Sequence, residues 1–434
     1  MQILKFSQPD FDEKFSILAN RGEMDMSEVM PRVASIIAEI RKSGDKALCE
    51  QIARFDNWEP KSGYELKIST DEMEPAWNST DEKLKEALKI AYERIKVYHE
   101  KQIEKSWLSY EKDGAVLGQK ITPVDRAGLY IPGGKAAYPS SLLMNAVPAI
   151  VAGVGDISVC TPAVGGEVNA LLLAAMHMLG IKNAYKVGGA SAVAAMAYGT
   201  DTISKVDVIT GPGNIYVATA KKMVFGDVNI DMIAGPSEIG VIADSSCNAH
   251  NIAVDLLSQA EHDEIASSFL ITFDEGLAKA IEAEMMRVLT TLKREKIARA
   301  SVENKAAIII ARDKAHAIAL ANELAVEHLE IATNDAWEYL PHIKHAGAVF
   351  LGHFTPEAVG DYLAGPNHTL PTGGTARFFS PLGVNNFIKR SSVIAMNEQT
   401  LRELAPACMA LASAEGLGAH ELSIKVRQSI LLKF

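Results

Sequence analysis

The sequence predicts an α/β protein built on parallel sheets. From Ala115 to Asp244 short β-branched runs alternate with Ala-rich helical stretches, and from Gly240 the alternation starts again. Strand followed by helix, repeated, implies a parallel sheet with helices on both faces. The third observation is Gly-Pro punctuation at strand ends: Ile131-Pro-Gly-Gly134, Val187-Gly-Gly189, Gly211-Pro-Gly-Asn214 and Gly235-Pro-Ser-Glu238. Loops at the carboxyl ends of parallel strands bind ligands in such folds, and glycine lets a phosphate approach the backbone.

Residues 1–112 are charge-rich and read as helical. Met26-Ser-Glu-Val-Met-Pro-Arg-Val opens a long helix that reaches Lys42 and is ended by Ser43-Gly44. A second run, 80–103, alternates apolar and Lys/Glu positions at helical spacing, a pattern of solvated outer surfaces. The first α/β block offers strands at 127–131, 156–160, 186–187 and 206–210, with helices over 141–152, 167–179 and 191–198. The second offers strands at 240–243, 268–273, 306–311 and 348–351, with helices over 249–261, 275–292, 314–324 and 356–364. The last fifty residues, rich in Ala, Leu and Glu, read as helix, turn, helix. The expected division is 1–125 together with 238–382 as a larger α/β domain, 126–237 as a second one, and 383–434 as a helical tail.

A chain of 434 residues exceeds one ordinary core. Its 48% hydrophobic and 22% charged residues are those of a globular protein. With 43 basic against 54 acidic side chains, the net charge of −11 argues against nucleic acid or an anionic membrane as the main partner. The four cysteines, Cys49, Cys160, Cys247 and Cys408, are scattered, which fits a reducing compartment and gives no thiolate metal site. The opening residues are too soon followed by Asp10, Asp12 and Glu13 to form a secretory signal, and no stretch is apolar enough to span a bilayer. The expectation is a soluble cytoplasmic protein.

Gly211-Pro-Gly-Asn-Ile-Tyr216 and Gly153-Val-Gly-Asp-Ile-Ser158 both lack the third glycine of a dinucleotide fingerprint, so a nucleotide would need another arrangement. His342-Ile-Lys-His345 has metal-ligand spacing, but Lys344 would repel a cation, and it reads as a surface pair. In Asp255-Leu-Leu-Ser-Gln259-Ala-Glu-His262, Gln259 and His262 share one helical face, as metal ligands or as a hydrogen-bonded core pair. Glu327-His328, at a helix-to-strand change, can supply two bases, or a base and its orienter. Thr355-Pro356-Glu357 starts a short helix and Gly365-Pro366 stops it, so that Asp361 and His368 flank a rigid turn. In Glu415-Gly-Leu-Gly-Ala-His420, Gly416 and Gly418 break the helix and free both side chains for a site. Gln259, His262, Asp361 and His420 together offer two imidazoles and two oxygens, a set suited to zinc.

These residues, read together, resemble the histidinol dehydrogenase family nearly end to end. The resemblance rests on Gly128-Leu-Tyr-Ile-Pro-Gly-Gly134, Gly211-Pro-Gly-Asn214, Ala234-Gly-Pro-Ser-Glu238, Leu257-Ser-Gln-Ala-Glu-His262 and Glu327-His-Leu-Glu330. It continues through Gly360–Arg377, which contains Asp361-Tyr-Leu-Ala-Gly-Pro-Asn-His368, and through Glu415-Gly-Leu-Gly-Ala-His420. It implies two Rossmann-like α/β domains and one zinc ion held by Gln259, His262, Asp361 and His420. His328 is implied as the general base and Glu327 as the residue that activates water. Ser237, His368 and Glu415 would contact substrate together with the zinc ligands and the catalytic pair, while Tyr130, Ser191 and Asn214 would contact NAD. The family is a homodimer with intertwined tails, so Glu415 and His420 would serve the partner's site. Two positions depart from the family: Ser191 replaces the usual Gln, and Val326 stands where Pro is common before the catalytic pair.

The implied reaction is the NAD-dependent, two-step oxidation of L-histidinol to L-histidine. The alternatives are a same-fold dehydrogenase of another small alcohol, such as a sulfopropanediol, and a two-lobed α/β binding protein, which needs no acid–base pair.

Overall fold

The computed structural model describes residues 1–22, 25–133 and 138–431, so Gly134 of the first glycine loop lies outside the described residues. The chain forms two compact units, Met1–Gln102 with Val124–Phe387, and Ile103–Pro123 with Ile388–Phe434.

The first unit contains two parallel sheets. The six-stranded sheet runs Gln2–Lys5, Ala307–Ile310, Ser267–Thr272, Glu238–Ala243, His328–Ala332, Ala348–Leu351 from edge to edge. The five-stranded sheet runs Asn183–Lys186, Asp156–Thr161, Arg126–Tyr130, Val208–Thr210, Asn229–Ile230. The inner strands are buried on both faces, which is why Ile, Val and Ala fill them continuously and do not alternate with polar residues. Helix Ala249–Ala260 covers one face of the larger sheet, burying Ile252, Leu256 and Leu257 against Val241 and Leu270. The fold is thus the mixed α/β one that the alternation predicts.

The first 125 residues are divided between the two sheets, which corrects the expectation that they lie together on the larger one. Gln2–Lys5 and helix Phe11–Ala19 do join the six-stranded sheet. Helix Met30–Phe55, however, packs Val33, Ile37 and Leu48 against Val193 and Val217 of the smaller sheet's helices. Helices Thr70–Ser79 and Glu82–Glu100 add Met73, Leu88 and Ile95 to Leu142 and Leu172 on its opposite face. An amphipathic stripe specifies that a helix is covered and leaves open by which sheet. Gly44, at φ +50°, kinks the long helix where the sequence suggests an end.

The second unit is a three-stranded antiparallel sheet with two helices. Ile388–Ala395 pairs with Val116–Pro123, which pairs with Trp107–Tyr110. The sheet precedes Glu398–Ala414 and Gly418–Leu431, so the tail is not helical from its start at 383. Among the described residues, no helix is long and apolar enough to cross a membrane.

Candidate active site

The turn after helix Lys314–Leu324 positions Glu327 and His328. Ala325 adopts the left-handed conformation at φ +47°, and Val326-Glu327 then leads into strand His328–Ala332. Both side chains therefore emerge at the amino edge of the six-stranded sheet, not at the carboxyl edge. Ser237 and Glu238 stand at the same edge, because Gly235-Pro-Ser-Glu238 enters its strand and does not leave it. Close approach is enforced at Gly347, where a Cβ would stand 2.5 Å from the Glu327 carbonyl oxygen.

His328 is 4% exposed. Its Nδ1 lies 3.1 Å from the Glu238 carbonyl oxygen, which can only accept, so Nδ1 carries the proton and Nε2 is bare. Nε2 is buried, has no hydrogen-bond partner among the described residues, and lies 3.7 Å from Asp361 Oδ1. Burial lowers the pKa of this imidazole and favours its neutral form. Glu327 Oε2 accepts from the Glu238 amide at 2.8 Å and lies 3.8 Å from His328 Nδ1. Burial raises the Glu327 carboxyl well above the usual carboxylate range, and the amide bond opposes that only in part.

The other predicted residues divide as follows. Gln259 Nε2 and His262 Nδ1 meet at 3.2 Å across one helical turn, while Gln259 Oε1 stays buried without a partner among the described residues. His368 Nδ1 donates to the Asp361 carbonyl oxygen at 2.9 Å and lies 3.9 Å from Asp361 Oδ1. His328, Asp361 and His368 line one cavity of about 860 Å³. Ser237 is half-buried, and its carbonyl accepts from the Ser267 amide at 3.0 Å. Glu415 and His420 belong to the second unit, where both are exposed, at the end of one tail helix and the first turn of the next.

Several groups at this site went unread in the sequence. Glu357, 1% exposed, has Oε1 without a partner among the described residues, and its ligand atoms lie within 4.8 Å of those of His328 and Asp361, a spacing that can hold a metal. Its Oε2 accepts from Ser258 Oγ at 2.9 Å, and its amide donates to buried Glu330 Oε1 at 2.6 Å. Arg21 grips both carboxylate oxygens of Glu238 at 2.7 Å, fixing the strand that orients His328. Isolated charges such as these have no spacing signature.

A second cavity, of about 420 Å³, lies at the carboxyl edge of the five-stranded sheet and is lined by Tyr130, Gly188, Ser191 and Asn214. Here the glycine loops lie at the carboxyl ends of parallel strands, where the sequence places them. Asn214 caps helix Ile215–Val224, its Oδ1 accepting from the Tyr216 and Val217 amides at 3.1 and 3.3 Å. Helix Gly189–Tyr198 also begins at this cavity, with Gly189 donating to the Tyr130 hydroxyl at 3.3 Å. Two helix N-termini facing one cavity suit a phosphate-bearing ligand. Gly211 has φ +118°, and a Cβ there would lie 2.0 Å from the Tyr130 carbonyl oxygen. A buried ion pair holds this glycine: Lys221 Nζ donates to its carbonyl at 2.9 Å, and Asp231 Oδ2 accepts from its amide at 2.8 Å.

Residues 19–428 match the family model described as histidinol dehydrogenase. A histidinol dehydrogenase of Sulfurimonas denitrificans is 61% identical over 417 residues, covering 96% of this chain and 97% of the relative. One from Wolinella succinogenes is 58% identical, with 98% of each covered. The crystal structure of histidinol dehydrogenase from Elizabethkingia anophelis superposes with a TM-score of 0.93 at 35% identity, over 99% of this chain and 98% of that one.

Proposed function

The chain belongs to the histidinol dehydrogenase family, and on that premise we propose that it oxidises L-histidinol through L-histidinaldehyde to L-histidine, using two NAD+ and one zinc ion per subunit. The observation that carries the chemistry is the bare, buried Nε2 of His328, which opens on the larger cavity and is neutral by virtue of its burial. Each oxidation removes a hydride and a proton from carbon and oxygen of the substrate, so a base must stand beside the hydroxyl. His328 takes that proton at Nε2. The aldehyde must then gain water before a second hydride can leave, and the Glu327 carboxylate, held beside His328 by the Glu238 amide, accepts the proton of that water. The sum is histidinol, two NAD+ and one water giving histidine, two NADH and three protons. NAD+ accepts the hydride in each step.

Gln259, His262, Asp361 and His420 would hold the zinc. The donor set is mixed nitrogen and oxygen, and the orphaned Gln259 Oε1 fits the requirement for an uncommitted ligand atom. When bound, zinc supplies a template and charge anchor for the substrate's imidazole and amine. Ser237, His368 and Glu415 complete the substrate contacts in this reading. Tyr130, Ser191 and Asn214 serve NAD, with the amide NH2 of Asn214 left over by its capping bond. Glu415 and His420 reach the site of a second copy in a homodimer with shared active sites, a reading their exposure supports. A cytoplasmic location belongs to the same account, supported by the unpaired cysteines.

A sulfonated propanediol is disfavoured, because Asp361 lines the cavity, with the Glu357 carboxyl within 4.8 Å of it, and an anionic substrate would meet repulsion. The test is to strip purified protein with a chelator, measure bound zinc, and follow NADH formation from L-histidinol before and after zinc is restored. Turnover that returns with about one zinc per chain supports the proposal, and turnover indifferent to zinc overturns its metal component.

A further inference from the structure

The smaller cavity is walled on one side by the end of helix Met30–Phe55, an element to which the family resemblance gave no role. Gln51 and Asp56 both line it. Gln51 is 5% exposed; its Nε2 donates to Glu39 Oε2 at 2.7 Å, which leaves Oε1 buried with no partner among the described residues. The Asp56 carboxylate has no hydrogen bond or ion pair among the described residues either, while its backbone carbonyl is tied to the Gly165 amide at 2.8 Å. Burial pushes the Asp56 carboxyl up, and burial together with the nearby Asp56 charge raises the Tyr130 phenol to about 12. Arg32, also on the cavity, is stacked on the rings of Phe55 and Tyr216, 4.9 and 5.5 Å from their centroids.

A buried oxygen acceptor without a donor, such as Gln51 Oε1, is costly unless a ligand brings one, and the half-buried Asp56 carboxylate offers a second acceptor on the same cavity. A nicotinamide dinucleotide has few donors: its ribose hydroxyls, the adenine amino group and the nicotinamide carboxamide NH2. A phosphate ester has none at neutral pH and carries negative charge. We propose that Gln51 and Asp56 are specificity-determining residues of the cofactor site, accepting hydrogen bonds from the ribose hydroxyls of NAD and excluding a 2′-phosphate. An acidic side chain that accepts from a ribose 2′-hydroxyl is a general solution to this discrimination, reached here from an N-terminal helix. The inference rests on the reading of NAD as co-substrate.

Kinetics with NAD+ and NADP+ on wild type, Asp56→Asn and Asp56→Ser, at saturating L-histidinol, provide the test. Isothermal titration of ADP-ribose and of 2′-phospho-ADP-ribose into wild type accompanies them and needs no variant. Wild type should bind ADP-ribose at least about tenfold more tightly than the 2′-phosphorylated probe. Asp56→Asn should raise the NADP+/NAD+ ratio of kcat/KM by about tenfold, by raising KM for NAD+ and lowering it for NADP+. Equal binding of the two probes, or a ratio within twofold of wild type in both variants while NAD+ still turns over, overturns the assignment. Should wild type bind ADP-ribose and NAD+ not at all, the cofactor reading itself has failed and this inference with it.

Discussion

His328 donates its Nδ1 proton to the main-chain carbonyl of Glu238 across 3.1 Å, and that bond decides which nitrogen is free for chemistry. Arg21, paired with both oxygens of the Glu238 side chain, fixes the strand from which the carbonyl points. The imidazole is thus oriented through a strand that Arg21 grips by the Glu238 side chain.

Replacing the base should abolish turnover and spare the metal. His328→Ala is expected to lower kcat by about 10²–10⁴-fold, with zinc content and NAD+ binding retained. Zinc analysis on the purified variant distinguishes this from a ligand role: a variant that arrives metal-free would mean His328 had been misassigned.

Glu327 should matter for the water step more than for the first hydride transfer. Glu327→Gln keeps an acceptor toward the Glu238 amide but cannot take a proton. Histidinol consumption should then outpace histidine formation, with aldehyde trapped by an amine reagent. Undiminished histidine yield per histidinol would remove Glu327 from that role.

The shared-site reading predicts complementation. His420→Ala should lower zinc content, and mixed dimers of His420→Ala with His328→Ala should regain a fraction of activity, since one of the two sites is then whole. Mixed dimers, proven by differential tagging, that remain dead would count against sharing.

Buried acids behind the site should make stability depend on pH. Burial and the charge of Glu357 raise Asp255 from 3.8 to about 6. The unfolded chain ionises Asp255 first, so as pH rises from about 4 to about 6 the folded state is progressively disfavoured. Asp255→Asn should therefore gain stability over wild type across that window and hold a gain of about 1–2 kcal/mol above it. Thermal melts from pH 4 to 8 would show the two curves parting; curves that stay parallel would refute it.

The clamp on Gly211 should be costly to open. Lys221→Met leaves the buried Asp231 side chain without its cation, a change expected to cost about 3 kcal/mol or more. Denaturant unfolding checks the magnitude. A paired Lys221→Met/Asp231→Leu variant should recover part of the loss while NAD+ affinity stays low, because Gly211 is no longer held at both its amide and its carbonyl.

Much of this was legible in the sequence, for identifiable reasons. Strand–helix alternation survives as a one-dimensional pattern, so both parallel sheets could be read, and glycine loops such as Gly211-Pro-Gly-Asn214 announce themselves because positive φ requires glycine. Arg21, Lys221, Asp231 and Glu357 could not be found, because a lone charge bound for burial looks like one bound for solvent. Strand Ile388–Ala395 was hidden for a related reason: its Lys-Arg-Ser-Ser centre is exposed and polar on both faces, so it has no alternation to detect. The helix-to-strand change at Glu327-His328 already places the pair at the start of a strand, and what the sequence could not show is the register that sets His328 beside Ile239 and Ala348.

The central claim, that one site performs two successive oxidations, is tested most directly by the yield of NADH from limiting L-histidinol with excess NAD+. Two NADH per histidinol, with histidine as the product, is the predicted result; a yield of one, with aldehyde accumulating, or no NADH at all, would contradict it.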